Sequence, residues 1–355
     1  MRRSAFLNFP LPRLLSRTLP GPDRGLRPRR RMRLAGLPGI AAAAAFSILA
    51  TVDTPSAAAP AVTIGEGLSL GWAQFFVADA DKLWQKEGLS PNSITFASGR
   101  LVLDAVAGDR VLIGTAAETP VVFAALNGVP VRIVATTNNG NGAPYEPFEL
   151  VANQSIRTAA DIKGKRIGYS QGTNAHYYLS KLLEKQGLKW SDITAVSLSP
   201  GDFVSSLVNG SLDAFVWTEP AISQAVTQGR GKFHTIAAPG LYHAISAVIT
   251  LQSTIDKHPD LLRRALLAVR AADAANAADP SRASALVAQR VNFDPALAAR
   301  YWPKLNLGLG IDKASVVREL ESQARWAIDN KLVRPGARIP DFNQVVVTGI
   351  LDSIR

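Results

Sequence analysis

An α/β fold is predicted by three properties of the sequence. Between residues 62 and 254, short apolar runs of strand length alternate with segments whose apolar residues recur at helical spacing. Several of these runs end in a turn of small residues that leads directly into a helical pattern. The chain has 355 residues, which is enough for two lobes and a large core.

Nine segments are predicted to be strands because each is a short apolar run bounded by turn residues. In chain order they read VTIGEG, SITFAS, VLIGTA, VRIVATT, FELVAN, RIGYS, TAVSLS, AFVWTE and AISAVITL. Helices are predicted between most of them. After Thr254 the pattern is helical throughout, with long helices at 260–277, 280–290 and 313–331.

The basic charge of the chain belongs mostly to its first part. Ten of the 39 basic residues and two of the 28 acidic residues precede residue 60, which leaves 29 basic and 26 acidic residues in the rest. No nucleic-acid partner is therefore predicted. The absence of cysteine excludes disulfides and thiol catalysis, and the four histidines lack a metal-binding spacing. Neither a metal nor a cofactor is expected.

An export signal is predicted for residues 1–61. Four arginines between residues 29 and 33 precede the apolar stretch 40–50, which is too short to span a bilayer comfortably. The small-residue segment that follows offers cleavage after Ala58, Ala59 or Ala61. Met32 is an alternative start of the chain. A disordered tail and an uncleaved membrane anchor are the other interpretations of this segment.

A strand–turn–helix pattern that occurs four times predicts a binding site made of backbone N–H groups. Ligands of open α/β sheets bind beyond the carboxyl ends of the strands. The free N–H groups of a helix start attract anions there without any catalytic side chain. The four junctions are Ser98-Gly99, Glu118-Thr119 with Pro120 as first helical residue, Gly172-Thr173-Asn174, and Ser199 with Pro200.

The third junction, GTNAH at residues 172–176, opens an amphipathic helix that Gly187 closes. Two interpretations of it are open. Thr173 or Asn174 caps the helix through its side-chain oxygen. Alternatively, the loop holds an anion, with side-chain hydrogen bonds added by Thr173, Asn174 and His176 to those of the backbone. We expect the anion.

The segment from Ser155 to Pro220 resembles the solute-binding proteins of ABC importers for nitrate, taurine and aliphatic sulfonates. The residues that carry the resemblance are DIKGKRI, GTNAH, GLKWSDI and GSLDAFVWTEP, with GWAQFFVADADKLWQKEGL upstream and KHPDLLRRALLAVRAA downstream. It is closest to the aliphatic sulfonate-binding branch and extends over residues 62–355.

This resemblance implies a type 2 periplasmic-binding-protein fold, in which two crossover strands join two α/β lobes around a ligand cleft. The crossings are expected near Leu150 and Ala247. Lobe 1 would comprise 62–149 plus 247–355, and lobe 2 would comprise 150–246. The implied protein is periplasmic and monomeric. It captures a small organic anion by hinge closure and delivers it to an ABC permease in the inner membrane.

The resemblance also implies the ligand-binding residues. Each has a structural alternative: Trp72 and Phe75 can be core residues, Arg100 a solvated helix-end residue, and His176 a packing residue. Trp217 is expected at the cleft because its strand ends immediately before a helix. The set carried over is Trp72, Gln74, Phe75, Gly99, Arg100, Glu118, Thr119, Gly172, Thr173, Asn174, His176, Trp217 and Glu219.

Glu118 departs from the sulfonate-binding pattern because a carboxylate in an anion cleft repels the ligand. It can pair with Arg100, pair with an amine of the ligand, or point outward. Taurine or a neutral heterocycle therefore joins the alkanesulfonates as a candidate ligand, beside nitrate and aromatic ligands. The loop 138–147 is a further candidate lining segment.

Other protein classes fit the sequence less well. The resemblance includes related pyrimidine-precursor synthases, which have a cysteine-rich, histidine-dependent motif. This chain has no cysteine. An effector-binding domain of a transcription factor needs a helix-turn-helix upstream, where this chain has the predicted leader. A hydrolase would need a GxSxG elbow or a carboxylate pair, and the sequence shows neither. We therefore expect a binding protein without catalytic activity.

Overall fold

A computed structural model describes residues 59–354, which form two five-stranded sheets flanked by helices. All nine predicted strands are present, together with a tenth, β9. The strands are β1 Ala61–Gly67, β2 Ser90–Phe96, β3 Ile113–Ala117, β4 Val131–Thr136, β5 Glu149–Asn153, β6 Arg166–Tyr169, β7 Thr194–Ser197, β8 Ala214–Trp217, β9 Phe233–Ile236 and β10 Ser246–Leu251.

Both sheets are mixed, and the chain passes between them twice. The first sheet has the order β2-β1-β3-β10-β4, and the second has the order β7-β6-β8-β5-β9. Parallel pairs join β1 to β2 and β3, and β6 to β7 and β8, whereas β10 and β5 run antiparallel to their neighbours. The second sheet is made entirely of strands between residues 149 and 236. This combination confirms the predicted α/β class.

Helices connect most of the strands and make up most of the chain after β10. They are α1 Ala73–Ala80, α2 Leu83–Lys86, α3 Gly99–Ala107, α4 Glu118–Leu126, α5 Asn174–Lys185, α6 Phe203–Val208, α7 Ala221–Gly229, α8 Gln252–Lys257, α9 Pro259–Ala278, α10 Pro280–Arg290, α11 Pro295–Tyr301, α12 Lys313–Asp329, α13 Phe342–Val345 and α14 Gly349–Asp352.

Small differences from the predicted boundaries have local causes. The last predicted helix ends two residues early, because Lys331 adopts φ 56°, outside the helical region. Pro120 is the third residue of α4 rather than the first, a position in the first turn where proline displaces no helical hydrogen bond. The unpredicted strand β9 lies at a sheet edge, and its half-exposed FHTI sequence carries little apolar signal.

Each sheet packs its apolar residues against its own helices. In the second sheet, the rings of Phe203 on α6 and Phe215 on β8 stack at 5.3 Å. Strand β10, which lies between β3 and β4 in the first sheet, is buried at every position, as expected for a strand covered on both faces. Within residues 59–354, no helix combines the length and the apolar character needed to cross a membrane.

The predicted export signal, residues 1–61, lies outside the described residues up to position 58. Its last residues join the first sheet. The backbone oxygen of Pro60 accepts from the backbone N–H of Ser90 at 3.0 Å, and Ala61 pairs with Ser90 as the first residue of β1. A cut after Ala61 would remove these pairing residues, so the structure favours the upstream choices.

Candidate functional site

A cavity lies between the loops that follow the parallel strands of the two sheets. It has a volume of about 70 Å³. The starts of α3, α4 and α5 line it, as predicted from the strand–turn–helix junctions, whereas Ser199 and Pro200 do not. Its wall consists of Leu68, Ser69, Trp72, Ala97, Ser98, Gly99, Arg100, Ala117, Pro120, Tyr145, Pro147, Phe148, Thr173, Asn174, Trp217, Thr218, Ala244, Ile245 and Ser246.

Trp72 forms part of the wall on the side of the first sheet, and glycines make room for its indole. A Cβ on Gly99 would lie 2.7 Å from Trp72 Cη2 and 2.9 Å from the Cα of Ala116. A Cβ on Gly67 would lie 2.2 Å from Trp72 Cζ3. The indole is 7% exposed, and its Nε1 has no hydrogen-bond partner among the described residues. Trp72 therefore offers an unused donor at the cavity.

Arg100 lies in the first turn of α3 and reaches the second sheet. Ser98 is the N-cap of this helix, and its side chain accepts from the N–H of Leu101. The Arg100 guanidinium donates from Nη1 to the backbone oxygen of Gln171, in the loop before α5. Because the guanidinium stays protonated, Arg100 places a positive charge beside the cavity.

Helix α5 has no side-chain cap at its N-terminus. Gly172 has φ 72°, a left-handed conformation that glycine adopts without strain. Thr173 occupies the N-cap position, but its hydroxyl donates to the oxygen of Ser170 at 2.7 Å and no side-chain cap bond forms. The alternative interpretation, in which Thr173 caps the helix through its side-chain oxygen, is wrong, because the hydroxyl donates to the preceding turn.

Asn174 joins the cavity to a buried network around Glu118. Its Nδ2 donates to Glu118 Oε2 at 2.8 Å and also to the Tyr242 hydroxyl. The side chain is 2% exposed, and its Oδ1 has no partner among the described residues. The amide protons of Asn174 are therefore used inside the protein, and its carbonyl oxygen is unused.

Glu118 is fully buried and accepts hydrogen bonds from four neighbours. Besides Asn174 and the Tyr242 hydroxyl, these are the Ile245 N–H at 3.0 Å and Gln323 Nε2 at 3.0 Å. Burial raises the pKa of Glu118 to about 7, and the hydrogen bond from Tyr242 opposes that shift. Glu118 does not pair with Arg100 and does not face solvent, and it is not part of the cavity wall.

Aromatic rings complete the wall on the side of the second sheet. Trp217, at the end of β8, packs edge-to-face on Phe148 at 6.3 Å and against Phe203 at 5.4 Å. Tyr145 is buried, and burial raises the pKa of its hydroxyl to about 12, so it stays protonated. The cavity surface is thus mainly apolar, with a few polar groups, as is common for small-molecule sites.

Six of the thirteen sequence-predicted residues meet at this cavity: Trp72, Gly99, Arg100, Thr173, Asn174 and Trp217. The first-sheet residues Gln74, Phe75 and Thr119 lie elsewhere. Gln74 donates to the backbone oxygen of Thr137 and to Asp273, both at 2.7 Å. Phe75 is fully buried against Trp84, and the Thr119 hydroxyl donates to Gln323. Their side chains serve the core rather than the cavity wall.

Glu118 and three residues of the second-sheet side also lie outside the cavity wall. Gly172 contacts Arg100 behind the cavity. His176 packs between the rings of Tyr169, Trp190 and Trp326, and burial lowers its pKa to about 4. Glu219 accepts from the N–H and hydroxyl of Ser223 in the first turn of α7. His176 Nδ1 accepts from the Gly172 N–H at 3.4 Å, and the side chain is not part of the cavity wall.

The cavity also contains residues that were not named as site residues from the sequence. Tyr145, Pro147 and Phe148 precede β5, and the segment 244–246 leads into β10. The first group overlaps the loop 138–147 that was noted for its individual character. Residues 244–246 carry no sequence motif. They lie next to Ala247, where a crossing between the lobes is expected, and this position is the signal that could have identified them.

Comparison with known proteins gives the family. The family model described as NMT1/THI5 like matches residues 71–283, which is more than half of the chain. A protein of Escherichia coli (strain K12) named for aliphatic sulfonate binding is 26% identical over 59% of this chain and 64% of its own length. The taurine-binding periplasmic protein of the same strain is 30% identical over 43% of this chain and 47% of its own length. The chain thus spans less than two thirds of either relative.

A solved structure shows the same fold. The alkanesulfonate-binding protein SsuA from Xanthomonas axonopodis pv. citri, bound to MOPS, superimposes with a TM-score of 0.72 at 21% identity, covering 83% of this chain and 100% of that chain. The fold is therefore that of the periplasmic solute-binding proteins, as the resemblance implied. With more than half of its length matched by one family model, the chain belongs to the NMT1/THI5-like family.

Proposed function

We propose that this protein is the extracytoplasmic solute-binding component of an ABC importer. It would capture a small organic anion, an aliphatic sulfonate or a taurine-like compound, and deliver it to a permease in the inner membrane. The observation that carries the proposal is the cavity itself, whose wall is assembled from loops of both sheets. The names of the relatives support the ligand class.

Three of the predicted residues that line the cavity, Arg100, Trp72 and Trp217, would hold the ligand. Arg100 supplies positive charge, and its planar guanidinium suits the oxygens of a sulfonate or a carboxylate. Trp72 offers its free indole N–H. Trp217 and Phe148 supply apolar surface for a short carbon chain. Arg100 thus provides the charge complementarity, and the aromatic wall favours an organic anion over nitrate.

Capture would proceed by closure of two lobes, 62–149 plus 247–355 and 150–246. Two contacts between elements of the two sheets support this mechanism. Arg100 on α3 binds the loop before α5, and Glu118 on α4 binds Asn174 on α5. Both contacts lie beside the cavity, so they would form as the lobes close and break as they open.

The enzyme alternative has less support from the site. His176 lies two residues after Asn174, which lines the cavity. It is enclosed by aromatic rings, and its lowered pKa keeps it neutral near pH 7. Glu118 already accepts four hydrogen bonds and lies behind the cavity wall. Binding alone accounts for this arrangement.

A ligand screen tests the proposal. Purified protein without its leader is melted in the presence of alkanesulfonates, taurine, nitrate, aromatic acids and pyrimidines. A ligand at 100 times its Kd stabilises the protein by roughly 2.7 kcal/mol. Calorimetry on wild type and Trp217→Ala, with Trp302→Phe as a control outside the cavity, then locates the binding. A screen in which no organic anion binds, or in which the ligand is chemically converted, would overturn the proposal.

Localisation is tested separately. We expect N-terminal sequencing of protein from the native envelope to begin near residue 59, because Pro60 and Ala61 pair with β2 and belong to the folded chain. Mature protein that is found in the cytosol with Met1 or Met32 retained would contradict export.

A further inference from the structure

We propose that Asn174, held in one orientation by Glu118, acts as a hydrogen-bond acceptor for the ligand, so that the protein selects anions that also carry an N–H or O–H donor. This inference rests on the proposed function, because it specifies the substrate class of the same cavity. Glu118 is then a positioning residue: it does not touch the ligand but determines which end of the Asn174 amide faces it.

The first step is the hydrogen-bonding capacity of Glu118. An ionised carboxylate can only accept hydrogen bonds. It receives Asn174 Nδ2 and the Ile245 N–H on Oε2, and the Tyr242 hydroxyl and Gln323 Nε2 on Oε1. The amide end of Asn174 must face this carboxylate, because turning the amide over would bring its oxygen against Oε2. Tyr242 reinforces the orientation by accepting the second amide proton and donating its own proton to Glu118.

The second step is what this orientation leaves unsatisfied. Asn174 Oδ1 is buried without a partner among the described residues, on a side chain that is 2% exposed and lines the cavity. A buried acceptor without a donor is costly, so a ligand that supplies the donor is favoured. A ligand without one leaves the oxygen unsatisfied and loses affinity for the same reason.

The third step is the contrast between the two sides of the cavity. Trp72 Nε1 and the Arg100 guanidinium are donors on the side of the first sheet. Asn174 Oδ1 is an acceptor at the start of α5, and the Glu118 carboxylate lies directly behind it. The charged partner of Arg100 would be the anionic head of the ligand. The negative charge behind Asn174 favours an ammonium over a hydroxyl as the donor at the other end.

Matched pairs of ligands test the inference at pH 8, where Glu118 is ionised. 2-Aminoethanesulfonate is compared with 1-propanesulfonate, and β-alanine with butyrate, by calorimetry. In each pair a methyl group replaces the ammonium. For wild type, we expect the amino compound of at least one pair to bind at least tenfold more tightly. Equal affinity within both pairs would overturn the inference and leave the proposed function intact.

Two variants distinguish a positioning role of Glu118 from a general effect on the stability of the protein. In Glu118→Gln, the new amide can donate to Asn174, so either end of Asn174 can face the cavity, and the preference should fall to less than threefold. Gln323→Met removes another donor to Glu118 without touching Asn174, so it should keep the preference. Retention of the full preference in Glu118→Gln would refute the positioning role.

A second variant keeps the test valid if Glu118→Gln does not fold. Asn174→Ala removes the acceptor itself, and we expect it to lose the amino preference. An unchanged preference in Asn174→Ala would also overturn the inference. If neither pair binds to wild type, this inference fails together with the anion-binding function, and that outcome differs from binding without preference.

Discussion

Arg100, in the first turn of α3, donates a hydrogen bond to the backbone oxygen of Gln171, which lies between β6 and α5. One side chain thus connects the two sheets at the edge of the cavity. A hydrogen bond from a charged group contributes about 1.5–3 kcal/mol. For this exposed arginine, the lower end of that range is appropriate.

The Arg100→Ala variant should therefore release ligand faster. We expect its dissociation rate to rise roughly tenfold, because about 1.4 kcal/mol corresponds to one decade, and the unfolding midpoint to change little. Stopped-flow displacement of a bound ligand measures the rate. Arg338→Ala is the control, since Arg338 is exposed and does not line the cavity. Equal rates for both variants and wild type would show that the contact does not hold the closed form.

Thr173→Val tests the loop before α5. The Thr173 hydroxyl donates to Ser170 rather than to the cavity, so the variant loses that bond and stability should fall by about 1 kcal/mol. Affinity for 1-propanesulfonate should change by less than about threefold, or 0.7 kcal/mol. If the Thr173 hydroxyl instead donated to an anion, as the sequence alone led us to expect, the variant would lose roughly tenfold in anion affinity. Denaturant melts and calorimetry on one preparation decide between the two outcomes.

Glu118 should make stability depend on pH. Burial raises its pKa to about 7 from the ordinary value of 4.5, so between these values the folded protein keeps a proton that the unfolded chain releases. Its contribution to stability is complete below pH 4.5 and is lost as the pH rises through 7. Tyr242 and Glu319 are the titratable groups that act on it.

The measurement is a denaturant titration without ligand at pH 5 and pH 8. Glu66, Asp273 and Glu219 also have raised pKa values and His176 has a lowered one, so wild type alone reports all of these groups together. The difference between wild type and Glu118→Gln isolates Glu118. Relative to Glu118→Gln, wild type should lose on the order of 2 kcal/mol of unfolding free energy between pH 5 and pH 8. A difference that does not vary with pH would place the titration of Glu118 outside this range.

Gly99→Ala should disturb the cavity through Trp72. The added Cβ would lie 2.7 Å from the indole and 2.9 Å from the backbone of Ala116, and the backbone cannot give way easily. Overpacking of this kind costs about 1–3 kcal/mol, and displacement of the indole should weaken ligand binding. Gly201→Ala is the control, because nothing lies within 4 Å of its Cβ position. If the two variants have equal melting temperatures and affinities, Gly99 does not support Trp72.

The sequence predicts the framework of the fold better than the details of the site. Strand runs such as VTIGEG and the helix 280–290 carry strong local signals, so their positions are correct. Trp72, Asn174 and Trp217 were expected at the cavity from the family resemblance, and for Asn174 and Trp217 the strand ends at these points supported that expectation. Local sequence cannot show that Gln74 turns toward Asp273, or that Tyr242 and Ile245 bind Glu118 from more than 120 residues away. Those contacts depend on how the two sheets pack.

The low exposure of the cavity wall has a kinetic consequence. Trp72, Thr173, Asn174 and Tyr145 are each at most 7% exposed, so a ligand that occupies the cavity is nearly cut off from solvent. It can leave only after the walls separate, and the rate of that separation belongs to the protein rather than to the ligand. Unrelated ligands should then share one upper limit on their dissociation rates. Under that limit, a permease that pulls the walls apart would unload every ligand at the same pace.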